Sequence, residues 1–346
     1  MIKNQMKRIL TAILSFSFYA FATTEYNEYA DLNRELMLLP VSASLGGADL
    51  SLSTGAAYGS SPANLAFDTS SSLTLSYANY YQNTFSSSIL TYSGPAGTKS
   101  GIGITAGYIY IPDFEDNRGS IETENNTLIP TNKIRNCSDI YVRFSYGHRF
   151  DITPVWVVSG GLALNGRRSR LLEYSGYGIG VDVGTKVYHK VSGISFVVLI
   201  ENITSNYTYW SESYKEYSYT HIRMGLGWEK TIPYIYGKVR VGYTSPDLLS
   251  NEGINKYSKE TDTNNQKIEI PSKEKVHKSP ELLFSNGRLG LEYSIMSRVA
   301  LRAGLSQGKF NFGAGLQFFS NKAGIDFAYT AHQLSGTYQM SMMYRW

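Results

Sequence analysis

The sequence has a single cysteine, Cys137, and only 10 prolines in 346 residues, and no segment supplies the run of about 18 apolar residues that a membrane-crossing helix needs. A lone thiol makes no internal disulfide, so the chain holds together without a covalent staple. With no spanning helix, the chain can cross a membrane only through strands closed into a barrel. Charged residues make up 17% of the chain and the net charge is +4, too small and too dispersed to argue for nucleic acid. The five histidines, His148, His189, His221, His277 and His332, include no pair at a metal-ligand spacing. No G-x-S-x-G elbow, H-E-x-x-H or phosphate loop is present. Two acid–histidine combinations remain, His221 with Glu229 and Asp326 with His332. Six to eight strand positions separate each pair, about 20 Å or more along one strand. We therefore expect neither a cofactor nor an enzyme.

What is abundant is tyrosine, phenylalanine and glycine, at 28, 15 and 32 residues, a balance suited to strands, tight turns and aromatic girdles. The last eleven residues show why. Tyr338, Met340, Met342, Tyr344 and Trp346 share one phase of a two-residue period, and Thr337, Gln339, Ser341 and Arg345 take the other. Tyr344 and Trp346 end the apolar phase as a barrel-insertion signal does, which predicts handling by the barrel-assembly machinery and contact with outer-membrane lipid. At the other end, Lys3, Lys7 and Arg8 precede a short apolar run, Ile9 to Phe18, and Ala20-Phe21-Ala22 forms an A-x-A site. Residues 1–22 read as a cleaved signal peptide, 23–70 as an N-terminal plug-like or periplasmic segment, and 71–346 as a barrel. The plug is expected in the periplasmic mouth.

Alternating segments of about ten residues recur from Leu73 onward and number about fourteen, the even count of closed bacterial barrels. The turns predicted at 151–154, 190–193, 231–233, 296–297 and 320–322 are short and fall on even connections. The long segments 112–138, 204–216 and 245–283 fall on odd ones, as outer loops do. The longest of these is a polar tract, expected to be a solvated connector without structure of its own. The fold class is thus all-β, a transmembrane antiparallel barrel with a small plug, exported to the bacterial outer membrane.

The charges sort by phase. Arg143, Arg149, Asp182, Lys186, Arg223, Glu229, Lys238, Arg240, Arg288, Glu292, Arg302 and Asp326 all oppose apolar neighbours along their strands. Arg or Lys on the lipid face costs about 2–4 kcal/mol at the midplane, so these side chains are expected in the lumen. A ladder of both signs can brace the wall or line a polar route, and the presence of pairing partners favours bracing. Tyr108, Tyr110, Tyr146, Tyr188, Tyr243, Trp210 and Trp228 are expected in the interfacial girdles. The inward positions assigned this way are mainly charged or glycine, which speaks against an apolar lumen.

Several motifs resemble the PorV/PorQ-like branch of the FadL-type outer-membrane barrels. Leu39 to Ala48 is similar to the family's LPxSAxxxGG, and the hatch motif Ser61-Pro62-Ala63 to its Asn-Pro-Ala, with Ser61 in place of Asn. Gly180 to Tyr188 with Glu201-Asn-Ile203, and Leu289 to Tyr293, Val299 to Gly304, Phe312 to Leu316 and Ile325 to Tyr329, continue the likeness. The resemblance implies a FadL-type barrel and, as its first reading, an accessory in export or surface attachment of proteins, type IX secretion-like, with exported proteins or secretion components as partners. The alternative it implies is a FadL-like channel for long-chain fatty acids or other hydrophobic solutes, with a hydrophobic small molecule as partner.

Overall fold

The computed structural model describes residues 36–52, 55–122, 128–211, 215–251, 253–261, 267–332 and 335–346, with backbone alone over 114–122, 128–133, 235, 255–261 and 267–271. The expected signal peptide and residues 23–35 lie outside the described residues. Strands follow in the order β1 (Ser72–Tyr80), β2 (Phe85–Pro95), β3 (Ser100–Glu122), β4 (Leu128–Asp151), β5 (Trp156–Leu171), β6 (Tyr174–His189), β7 (Ile194–Glu201), β8 (Asn206–Trp210) and β9 (Lys215–Ser218). They continue as β10 (His221–Ile232), β11 (Gly237–Thr244), β12 (Ile254–Thr261), β13 (Lys267–Glu274), β14 (Arg288–Ile295), β15 (Val299–Ser306), β16 (Lys309–Phe318), β17 (Ala323–Thr330) and β18 (Thr337–Arg345).

Fourteen of these, β1–β7, β10, β11 and β14–β18, pair antiparallel around one closed ring. The ring shuts where β1 meets β18, in register Ser72↔Arg345, and Ser71 and Trp346 exchange backbone hydrogen bonds of 3.1 and 3.0 Å. Closure removes both sheet edges, the condition for strands in lipid. Turns at the end where the ring starts and stops are short, and the long connections all leave from the opposite end.

All three long connections carry, in their described residues, structure that their composition hides. The 112–138 segment is the continuation of β3 and β4 beyond the barrel, with register shifts between Ile111 and Phe114 and between Asp116 and Gly119. The polar 245–283 tract is not a bare connector, because β12 and β13 pair over eight positions from Ile254↔Glu274 to Thr261↔Lys267. Such a ladder satisfies backbone groups whatever the side chains are. In the 204–216 segment, β8 prolongs the sheet beside β6 and pairs in turn with β9.

Alternation decides what each face shows. On β5, Leu162 and Leu164 are exposed while Ala163 and Asn165 are buried; on β4, Phe144 and Tyr146 are exposed while Arg143 and Ser145 are buried. Around the ring Leu75, Leu226, Leu301, Phe312, Phe327 and Met342 also point outward. An outer wall this apolar, around a lumen holding the charges, is built for a lipid surround rather than for water.

Candidate functional site

The lumen holds the chain's own residues 36–52 and 55–67, which carry two short helical turns, Pro40–Ser44 and Pro62–Phe67. This segment is not confined to the short-turn mouth. Tyr80, at the long-loop end of β1, donates to the Leu36 carbonyl at 2.6 Å, whereas Leu65 lies against Gly101, at the short-turn end of β3. Between these contacts the segment runs through most of the barrel's height.

Strand glycines make room for it. A Cβ on Gly304 would stand 2.2 Å from the Leu45 carbonyl carbon, one on Gly242 2.2 Å from the Ala48 oxygen, and one on Gly161 2.4 Å from the Ala63 nitrogen. Each is closer than real Cβ contacts come, so the plug backbone lies directly on the wall where side chains are missing. The hatch motif sits here. Ser61 and Ala63 are fully buried, Pro62 opens its helical turn, and Ser159 donates to the Ala63 carbonyl at 3.0 Å. Asn64 donates to the Leu50 carbonyl at 2.9 Å and ties the two halves of the plug together.

The charged side chains predicted for the lumen are buried or half-buried, and most of them fall into two groups. Toward the short turns, one chain of ion pairs crosses the wall: Lys238–Glu229 at 2.9 Å, Glu229–Arg240 at 3.0 Å, Arg240–Glu292 at 3.0 Å, Glu292–Arg302 at 2.6 Å and Arg302–Asp326 at 2.7 Å. The second group grips the plug. Arg143 and Asp182 form a fully buried pair at 2.6 Å, Arg143 also donates to the Ser60 carbonyl at 2.9 Å, and its guanidinium lies 5.7 Å from the Tyr58 ring centre. Asp182 accepts the Asn202 amide as well, so neither charge is left bare.

Arg223 pairs with Glu201 at 2.6 Å. Lys186 donates to the Ser51 carbonyl at 2.8 Å and sits 4.7 Å from the Phe67 ring centre. Arg288 lies against Gly47 of the plug. Arg149 follows the lumen phase of β4, near the short turns, and is half-buried there. At the barrel's short-turn rim, hydrogen bonds from Lys99 and then Lys190 hold the Asp151 carboxyl below the usual carboxylate range.

The lumen is not only charged and small. At the long-loop end, plug residues Met37, Leu39, Ala57 and Tyr58 pack with Ile89 of β2, Ile109 of β3 and Tyr141 of β4, joined by Leu36, Phe85 and Ile111. A smaller apolar contact joins Leu50 to Val197 and Leu199. The wall then changes character across one strand boundary. Tyr141 faces Arg167 and Arg143 faces Asn165 across β4 and β5. Beyond them Asn165, Asn206 and Thr208 are buried, with side-chain atoms that make no hydrogen bond among the described residues. Buried polar atoms of this kind require a partner, water or the polar end of a solute.

Some assignments change. Tyr188 is not a girdle residue: its ring meets Phe67 of the plug at 5.8 Å, edge to face, on the lumen side. Trp210 lies over Gly176. His221 approaches Asp247 at 3.2 Å, and the His332 ring lies at a tilt beside Tyr81 with ring centres 4.4 Å apart. Tyr344 and Trp346 stand exposed on the outer face at the short-turn end, stacked at 5.9 Å, with Tyr92 6.1 Å from Trp346. Sequence patterning missed the apolar cluster because Ile109 lies between Tyr108 and Tyr110, where both phases look apolar.

A closed antiparallel ring of fourteen strands, with an N-terminal segment lying in the lumen, defines a plugged β-barrel of the outer-membrane type. Solved structures share it. The chain superposes on the Pseudomonas putida toluene transporter TodX with a TM-score of 0.51 at 12% identity, covering 89% of this chain and 97% of that one. It superposes equally, at 0.51 and 12% identity, on the deltaS2S3 mutant of the TodX monoaromatic hydrocarbon channel, over 89% and 98% of the two chains. At this identity the likeness is one of fold. It lends nothing to the PorV/PorQ branch in particular. No protein-family model and no curated protein sequence matches the chain.

Proposed function

We propose that this chain is an outer-membrane channel for hydrophobic small molecules, closed at rest by its own N-terminal segment. The observation that carries the reading is the apolar cluster inside the lumen, in which Met37 and Leu39 of the plug occupy a wall made by Ile89, Ile109 and Tyr141. An apolar patch lining the inside of a barrel is of no use to lipid outside it, and it gives a greasy solute a place to leave water. The polar atoms of Asn165, Asn206 and Thr208 next to it suit a guest with one polar end. The solved neighbours include a toluene transporter and a monoaromatic hydrocarbon channel, which supports the same class of cargo. Export to the outer membrane behind a cleaved residue 1–22 leader belongs to this reading.

An accessory role in protein export or surface attachment rests on the motif resemblance to the PorV/PorQ branch, and no geometry described above favours it over the channel. The test is uptake of a radiolabelled long-chain fatty acid and of toluene by cells that lack their own channels. Faster entry with this chain than with an empty vector is expected for at least one of the two. Entry at the vector's rate for both defeats the channel.

A further inference from the structure

At the long-loop end, the outward face of one sector gathers cations beside exposed tyrosine rings. Arg168 and Arg170 of β5 and Lys215 of β9 are exposed, as are Tyr177 of β6 and Tyr207 and Tyr209 of β8. They share one surface, because Arg168 faces Tyr177, Tyr177 faces Tyr209 and Tyr209 faces Lys215 across successive strands. The Arg168 guanidinium lies 5.7 Å from the Tyr177 ring centre and the Lys215 ammonium 5.5 Å from that of Tyr209.

Height fixes what this surface meets. Trp156 marks the short-turn end of β5 on the same outward phase, followed by Leu162 and Leu164. Twelve residues separate Trp156 from Arg168, a rise of about 30 Å for a strand tilted as barrel strands are. Arg168 therefore stands where the hydrocarbon ends and headgroups begin. Among the described residues, the exposed charges on this face are of one sign. Glu173, at the nearby tip, is engaged by Arg135 at 3.7 Å, and Glu216 lies on the opposite phase of β9 from Lys215. At the short-turn rim, by contrast, Lys99 and Lys190 are both matched by Asp151.

We propose that this sector binds a phosphorylated glycolipid of the surrounding outer leaflet. Arg168, Arg170 and Lys215 take its phosphates by charge-assisted hydrogen bonds, and the exposed faces of Tyr177 and Tyr209 take its sugar rings. The inference rests on the membrane placement in the proposed function but not on the identity of the cargo.

The experiment reconstitutes the intact chain into phosphatidylcholine nanodiscs containing either lipid A or phosphatidylglycerol at equal charge, and counts retained lipids by native mass spectrometry. The native chain is expected to retain lipid A in preference to phosphatidylglycerol, with inorganic phosphate failing to displace it. R168S/R170S/K215S is expected to retain about tenfold less or lower still. Y177S/Y209S, which leaves the charge unchanged, is expected to erase the preference for lipid A over phosphatidylglycerol. Equal retention of both lipids by the native chain, displacement by phosphate, or an undiminished signal from the triple variant overturns the proposal. A chain that enters no nanodisc fails earlier and differently, by refuting the membrane placement itself.

Discussion

Arg302 of β15 reaches over the intervening strand β16 to hold Asp326 of β17 at 2.7 Å, and the residue beneath the bridge is Gly315. A Cβ there would stand 2.4 Å from the Asp326 oxygen and 3.1 Å from the Arg302 guanidinium. The ion chain from Lys238 to Asp326 thus depends on a missing side chain as much as on the charges. It is a brace, since each inner member joins two partners of opposite sign.

Gly315→Val is accordingly expected to destabilise the barrel by about 1–3 kcal/mol through overpacking. Thermal unfolding in detergent, followed on a heat-modifiability gel, reads this directly. A variant that melts with the native chain shows that the bridge has room the structure denies it.

The Arg143–Asp182 pair, sealed from solvent, makes a sharper forecast. Arg143→Met or Asp182→Asn alone leaves one buried charge uncompensated and is expected to cost about 3–5 kcal/mol. The double variant is expected to cost less than the sum of the two. Additive losses in the same unfolding assay would mean that the two groups do not act as a pair.

Seating of the plug is testable electrically. Gly304→Leu and Gly161→Leu each place a side chain where the plug backbone lies, so both are expected to unseat residues 36–67 and raise single-channel conductance in a planar bilayer well above the native level. Conductance unchanged in both variants would mean that the plug does not rest on these glycines.

Lys186 holds the same segment by a hydrogen bond to Ser51 and by its contact with Phe67. Lys186→Met keeps most of the side chain's bulk but loses the donor, so limited proteolysis of the folded protein is expected to reach the plug sooner. An identical digestion pattern would remove Lys186 from the latch.

Much of this architecture was legible in the residues. Alternation located the barrel strands, the parity of the connections put the short turns at one end and the long segments at the other, and the cost of a lipid-facing charge put Arg143, Asp182, Glu292 and Arg302 inside. Three things were not legible. Tyr188 looks like any girdle tyrosine until Phe67 is brought beside it from more than a hundred positions away. The β12–β13 ladder depends on backbone pairing that a polar composition does not advertise. Ile89 and Ile109 become a lumen patch only through Met37 and Leu39, whose own segment has no periodicity to read.

The central claim, that the lumen's apolar cluster receives a hydrophobic guest, is tested most directly by equilibrium binding of a fluorescent fatty acid to the purified chain and to Ile109→Glu in detergent. Saturable binding by the native protein, weakened at least about tenfold by a buried carboxylate in the cluster, is the predicted result. Absence of saturable binding by the native chain, or equal affinity in the variant, would contradict it.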